Sequence, residues 1–506
     1  MTLKIPSIYR VFVILILISI SAITQNINAQ EACGTHESYL EMMKNDPVFR
    51  KKQELSKQQA SARSNVQGIV TIPVVFHVVY NNADENVSDE QIYSQLEVLN
   101  EDFGNVITSP TMWHEVAANP EIEFCLATRD ALGNASCGIT RTYTDSTEFV
   151  IQTSIKDEST GGISGWPARQ YMNIFICDIR NVRGYATFPD AEDSIDGIVI
   201  DYLSFGRGPE YVFDSPNYSS GRTGTHEVGH WLRLDHIWGD GNCDVDDGLT
   251  DTPNASGPNY GCNENAPACN NQSPGYAGPL ICMVQNYMDY SDDDCMNLFT
   301  QDQVNLMRNN FDEQGSRVSI LSSKGCDLPA ENELYFALTF DEFPEDIRWE
   351  LHDASNNIIA SDGNFEPGNY DLNIPAPLAN KTKTYTWDLP DGNYTLKFFD
   401  DFGDGFPDGS YEIKSIFGET VISGAGIPFD QSEMSVPFSV NNAKYRFLGT
   451  VGNDWYDPAN WNRKGVPSKC YQGDLIIEKE CMVEKLTIDQ QRNLIIRNEA
   501  RFTITG

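Results

Sequence analysis

The stretch THEVGHWLRLDHIWGD, Thr225 to Asp240, holds three of the chain's seven histidines. His226 and His230 are four residues apart, so on a helix their imidazoles leave one face and can share an ion, with Glu227 alongside. Imidazole nitrogens suit Zn²⁺, and three of them with a fourth position left to water is the arrangement of a catalytic site. Glu227 would take a proton from that water and return it to a leaving amine. A structural zinc site would favour four Cys or His ligands and would have no use for Glu227.

His236 can join the set only if the helix ends after His230 and the chain turns back. In zinc peptidases with the longer pattern H-E-x-x-H-x-x-G-x-x-H, the glycine makes that turn in the left-handed region. Here the position is Arg233. Left-handed backbone at a non-glycine residue costs about 1–2 kcal/mol, less than a three-histidine zinc site returns, so the turn is expected to form. On strain alone, glycine at 233 should raise stability. The similar WHEV at His114 has Ala118 where a second histidine would be needed, and His77 sits in an apolar run. Both read as structural.

The elements that must hold these residues are legible around them. IVTIPVVFHVVY, EIEFCLAT, YMNIFICDI and IDGIVIDYLSF read as strands, and the histidine helix follows the last of these. SDEQIYSQLEVLNEDF places Ile92, Leu96 and Leu99 at helical spacing behind the cap candidate Ser88. TQDQVNLMRNNF is a closing helix. An α+β domain is expected over 64–328, a β-sandwich over 329–443 and a solenoid-like β module over 444–506, from short strands between Gly/Asp/Asn/Pro turns.

Ahead of them, a basic start and the apolar run Val11 to Ile23 ending near Ala29 read as a secretory signal over 1–29. Residues 30–63 are polar and helix-prone, a pro-segment or linker expected to be cut near Arg63. All 12 cysteines follow the signal, as befits an oxidising compartment. A net charge of -38 argues against nucleic acid and anionic lipid as partners, and no later run is long enough for membrane insertion.

HEVGHWLRLDH together with QNYMDYSDDDCMNLFTQDQ resembles the pappalysin-like (ulilysin-type) branch of the metzincin zinc endopeptidases, secreted and bacterial. The resemblance covers roughly Ile69 to Cys326. It implies a catalytic domain with a mixed, mostly parallel twisted sheet, protein or peptide substrates, and one catalytic zinc on His226, His230 and His236. It also implies a Met-turn with Met288 beneath the imidazoles, and Tyr290 as the donor to the oxyanion. RGYATFP, with Gly184, Tyr185, Ala186 and Thr187, then resembles the edge strand that pairs with an extended substrate. Disulfides Cys243–Cys269 and Cys262–Cys295 follow from the same pattern.

Three further implications bear on control and specificity. Cys33, in ACGT, resembles the cysteine switch of a latent zymogen, a thiolate on the zinc, although it could instead pair with a cysteine such as Cys326. The segment after the Met-turn walls the pocket for the residue following the cut. Asp293 would therefore select Arg, then Lys, there. Asp247, Asp251 and Thr252 offer oxygens for Ca²⁺ against a plain acidic loop, and Asp400, Asp404 and Asp408 do so more weakly against an ordinary hairpin. Cys470 and Cys481 are near enough in sequence to pair. The rival reading is an inactive relic serving as an adhesin or glycan-binding protein through its β-modules. Such a relic would be expected to lose Glu227 first. The C-terminal modules could bind glycan or cell surface in either case.

Overall fold

A computed structural model of the chain describes residues 33–57, 64–104, 112–131, 133, 136–151, 154–327, 333–368, 374–415, 420–429, 431–440, 446–455, 458–461, 475–483, 494–497 and 500–504. The expected signal over 1–29, the cut near Arg63 and Cys470 lie outside the described residues.

The pro-segment forms two helices, α1 (Thr35–Asn45) and α2 (Pro47–Lys57). Beyond them β1 (Val70–Tyr80) is apolar almost throughout because it runs through the middle of the sheet. It pairs in parallel with β3 (Ile122–Leu126), β4 (Ile139–Tyr143) and β5 (Met172–Cys177), and β5 pairs in parallel with β7 (Ile198–Asp201). The exception is β6 (Gly184–Ala186), antiparallel to β7 and at the edge. β2 (Ala117–Ala118) pairs separately with β8 (Phe299–Thr300).

Between β1 and β2 lies α3 (Asp89–Gly104), whose first turn is capped by Ser88 Oγ accepting from Gln91 N at 3.1 Å. Its Ile92 and Leu99 are fully buried and Leu96 partly so, the expected face. α4 (Arg222–Trp231) carries the histidines, and α5 (Gln301–Asn309) starts on a capping box between Thr300 and Gln303. One core joins these layers, with Phe76, Ile174, Val228, Trp231, Met288 and Met307 among its members.

Cys243–Cys269 and Cys262–Cys295 are bonded. Cys326 is bonded to Cys125 and so is not the partner of Cys33. Cys481 is a free buried thiol, which corrects the pairing with Cys470 suggested by sequence proximity: its side chain is absorbed into the apolar core of the last module.

The second unit has two antiparallel four-stranded sheets. One is ordered β11 (Ile358–Asp362), β10 (Ile347–His352), β13 (Gly392–Asp400), β16 (Glu433–Val440). The other is ordered β12 (Thr382–Asp388), β9 (Glu333–Thr339), β14 (Ser410–Ser415), β15 (Thr420–Ala425). Their inward residues, Phe336, Trp349, Leu396 and Ile413 among them, make a separate core. Beyond it, β17 (Arg446–Phe447), β18 (Leu475–Ile477), β19 (Cys481–Val483), β20 (Leu494–Ile496) and β21 (Phe502–Ile504) pair with one another in parallel. Short parallel pairs are the pairing that stacked coils produce.

Candidate active site

α4 ends at Trp231, and Arg233 then stands at φ 83°, the left-handed turn the histidine spacing demanded. The chain reverses, and the Nε2 atoms of the three histidines converge: His230 to His226 and to His236 at 3.1 Å each, His236 to His226 at 3.2 Å. Each Nδ1 is engaged behind, with Tyr287 O at 2.7 Å for His226, Leu234 O at 2.6 Å for His230 and Asp240 Oδ1 at 2.5 Å for His236. A carbonyl can only accept, so the proton of His226 and of His230 sits on Nδ1 and their Nε2 lone pairs point inward. Burial and the neighbouring imidazoles lower the pKa of His226 to about 3 and hold that of His230 well below its usual value. Neutral nitrogens packed lone pair to lone pair repel unless a cation lies between them, so this donor set fits Zn²⁺.

Cys33 is the fourth member. Its Sγ and the three imidazole nitrogens all lie within 4.8 Å of one another, and all four residues are buried. Next to it, the Thr35 hydroxyl accepts from Ala186 N at 2.8 Å and donates to Glu227 Oε2 at 2.8 Å. Glu227 Oε1 is buried without a hydrogen-bond partner. Burial pushes the Glu227 carboxyl up to about 8, against the lowering effect of bonds from Thr35 and Cys33. The Tyr290 hydroxyl donates to Cys33 O at 3.3 Å, and its ring is 5.0 Å from that of His236. Met288 is fully buried under α4: a Cβ at Gly229 would stand 2.4 Å from its Sδ, so only glycine permits that approach.

β6 forms the rim above this centre. Gly34 N donates to Gly184 O at 2.8 Å, so the pro-segment lies along the free edge of the sheet. Gly184 is tightly packed too, since a Cβ there would meet Glu227 Cγ and Val199 O at 3.0 Å. Tyr185 and Thr187 turn their side chains away from the centre, Tyr185 into a rear apolar cluster and Thr187 to Lys156 Nζ at 2.9 Å. What the rim offers is therefore backbone, at Gly184 and Ala186.

Beside His226 opens a small cleft lined by Arg183, Tyr218, Arg222, Tyr290, Met296 and Asp293. Asp293 is 2% exposed and also anchors the start of α4, its Oδ2 accepting from Ser220 N at 2.8 Å and Arg222 N at 3.3 Å. Arg183 is paired with Asp214, and Arg222 with Asp102.

The calcium candidates are not gathered in the same way. Asp247 accepts from Thr252 Oγ1 at 2.9 Å, but Asp251 faces elsewhere, accepting from Thr300 Oγ1 at 2.7 Å and Asp302 N at 2.8 Å at the head of α5. Asp400 accepts from the backbone of Phe402, Gly403 and Gly405, and its carboxylate does not meet those of Asp404 and Asp408 at a common point. Those N–H groups close the turn on the Asp400 carboxylate.

Sequence reasoning missed Asp240, Thr35 and Trp238. Asp240 is four residues beyond His236 and also accepts from His36 Nδ1 at 3.0 Å. Although burial raises the Asp240 carboxyl, the bonds from His236 and His36 hold it well below the usual carboxylate range. Trp238 stacks on His236 with centroids 4.3 Å apart. The signal for both lay in the opening stretch, within four residues of the third histidine.

Known proteins are similar to this chain. The family profile described as pregnancy-associated plasma protein-A, peptidase M43, matches residues 159–312. An extracellular metalloprotease of Verticillium alfalfae (strain VaMs.102 / ATCC MYA-4576 / FGSC 10136) is 30% identical over 281 residues, 54% of this chain and 85% of that protein. One of Colletotrichum graminicola (strain M1.001 / M2 / FGSC 10212) is 29% identical over 299 residues, 56% of this chain and 89% of that protein. The solved structure of Tannerella forsythia promirolysin is 40% identical with a TM-score of 0.52, covering 59% of this chain and 100% of that one. With a helix that presents two imidazoles, a left-handed turn that returns a third and a matching family profile across all of them, the chain belongs to the pappalysin family of metzincin zinc metalloendopeptidases.

Proposed function

We propose that the protein is secreted, is made as a zymogen held latent by Cys33, and cuts peptides before Arg or Lys. The observation that carries this reading is the convergence of three Nε2 atoms and the Cys33 thiol beside Glu227. The apolar run from Val11 to Ile23 supports export.

Zinc held by His226, His230 and His236 would supply Lewis-acid polarisation of the attacking water and the scissile carbonyl. The remaining work falls to side chains already in place. Loss of residues 30–63 withdraws Cys33 from the histidines and Thr35 from Glu227 Oε2. Glu227 is then free to take the water proton and hand it to the leaving amine. The Tyr290 hydroxyl, released from Cys33 O, donates to the oxyanion. Gly184 O and Ala186 N take up the substrate backbone as an added strand, in place of Gly34 and Thr35.

The preference for a basic residue after the cut rests on Asp293 in the cleft beside His226, where both arginines already have carboxylate partners. A partly desolvated Arg–carboxylate pair would give about 2–3 kcal/mol over a neutral side chain. Calcium is proposed at Asp247 and Thr252, where burial beside Asp246 drives the Asp247 carboxyl well up unless a cation is near. Asp251 would serve that loop through its hold on α5. Glycan or cell-surface binding is proposed for the β-modules, supported by exposed Phe402 and Phe429.

One experiment tests the reaction and its specificity. In the mature form, Glu227→Ala should keep one zinc per chain and lose about a thousandfold or more in kcat/KM. Peptide-library profiling should show Arg, then Lys, after the cut, collapsing in Asp293→Asn, which keeps an acceptor for Ser220 and Arg222. An active, zinc-loaded Glu227→Ala would end the mechanism, and a library cut mainly before Leu or Phe would end the specificity.

A further inference from the structure

The pro-segment follows β6 from one end to the other. Gly34 bonds Gly184, Thr35 bonds Ala186, the Tyr39 ring lies 5.0 Å from that of Phe188, and Gln53 Nε2 donates to Pro189 O at 2.5 Å. Two places for side chains therefore flank the metal centre along one strand. At the Arg183 end is the cleft beside His226. At the other end is Phe188, its ring 5.7 Å from that of His230.

Phe188 is 6% exposed, and among its covers is Tyr39, which packs in turn on the buried Phe49 of α2. Excision of residues 30–63 removes both aromatic rings. It bares Phe188 beside a zinc ligand, at the end of a strand whose edge is then open. Asp190, two residues beyond Phe188, is paired with Arg233 at 2.7 Å. This surface would select by apolar contact rather than by charge.

We propose that Phe188 is the floor of a subsite for an aromatic or large apolar side chain within the three residues preceding the scissile bond, a place that Tyr39 fills until activation. This rests on reading the Arg183 and Asp293 cleft as the place of the residue after the cut, because a peptide stretched along β6 then carries its preceding residues toward Phe188. Aromatic contact of this size is worth a roughly tenfold preference.

The test uses the mature form made by excising the pro-segment from the full chain. Peptides with Arg fixed after the cut carry Tyr, Phe, Leu, Gly or Asp in turn at each of the three preceding positions. At one position kcat/KM for Tyr or Phe should exceed that for Gly by about tenfold. That ratio should fall toward one in zinc-loaded Phe188→Ala and to an intermediate value in Phe188→Leu. If Phe188→Ala loses zinc, Phe188→Leu decides. Wild-type ratios within about twofold of one at all three positions would overturn the subsite, as would a ratio unchanged by the substitution. A Phe188 effect seen only at positions after the cut would overturn it together with the direction of the substrate. If the Arg preference fails while the Phe188 effect stands before the cut, only the Asp293 reading is lost.

Discussion

Arg233 holds left-handed backbone between His230 and His236 and bonds four partners through its guanidinium: Asp190 at 2.7 Å, Ser316 at 3.0 Å, Gln53 at 3.2 Å and Asn310 at 3.3 Å. Strain alone favours glycine there by about 1 kcal/mol. A partly buried charged hydrogen bond is worth about 1.5–3 kcal/mol, so the contacts outweigh the strain. The stability gain expected from sequence is thereby reversed. Arg233→Gly should lower Tm by several degrees, and by more in the full chain than in the mature form, because Gln53 belongs to the excised helix α2. Thermal melts of the two forms side by side check this, and an unchanged or higher Tm in the zymogen would show that the four bonds contribute little.

At the scale of the element, β1 carries a histidine through the middle of the sheet. His77 is fully buried, with Nδ1 2.8 Å from Thr140 Oγ1 and Nε2 3.0 Å from Asn173 Oδ1, and burial lowers its pKa to about 4. The unfolded chain would bind this proton near pH 6.5, so the unfolded state holds more protons between the two values and stability falls as pH drops through that window. The contribution is complete above pH 6.5 and lost as pH passes about 4, a swing of about 3 kcal/mol. The stability difference between wild type and His77→Gln, from urea unfolding, should be flat above pH 7 and shrink by that order between about pH 6.5 and 4. The zinc ligands titrate in both proteins and cancel. A difference independent of pH would mean that His77 titrates normally.

The whole molecule has separate cores for the catalytic and sandwich units, and the bidentate pair of Arg129 and Glu333 is a polar link between them. A domain with its own core can fold alone. A chain ending at residue 328 should therefore fold, bind one zinc and, once its pro-segment is removed, cut short peptides within about twofold of the full-length rate. Any loss should appear on large or glycosylated substrates that engage the β-modules. Failure of the shortened chain to fold would mean that the sandwich completes the catalytic domain.

The metal chemistry was legible because it is local. Two histidines one helical turn apart share a face whatever surrounds them, and the third follows if one turn closes. The strands and helices around them could be read for the same reason, from periodicity and caps carried by neighbouring residues. Tertiary structure decided what depends on distant segments meeting: Thr35 on Glu227, Asn310 and Gln53 on Arg233, Tyr39 on Phe188, and Cys326 with Cys125. No spacing rule relates residues 192 or 201 positions apart, as the first and last of these pairs are. Their approach is set by the packing of the sheet and of the two pro-segment helices on its rim, and so the catalytic set could be read from the chain while the contacts that hold it latent and shape its clefts could not.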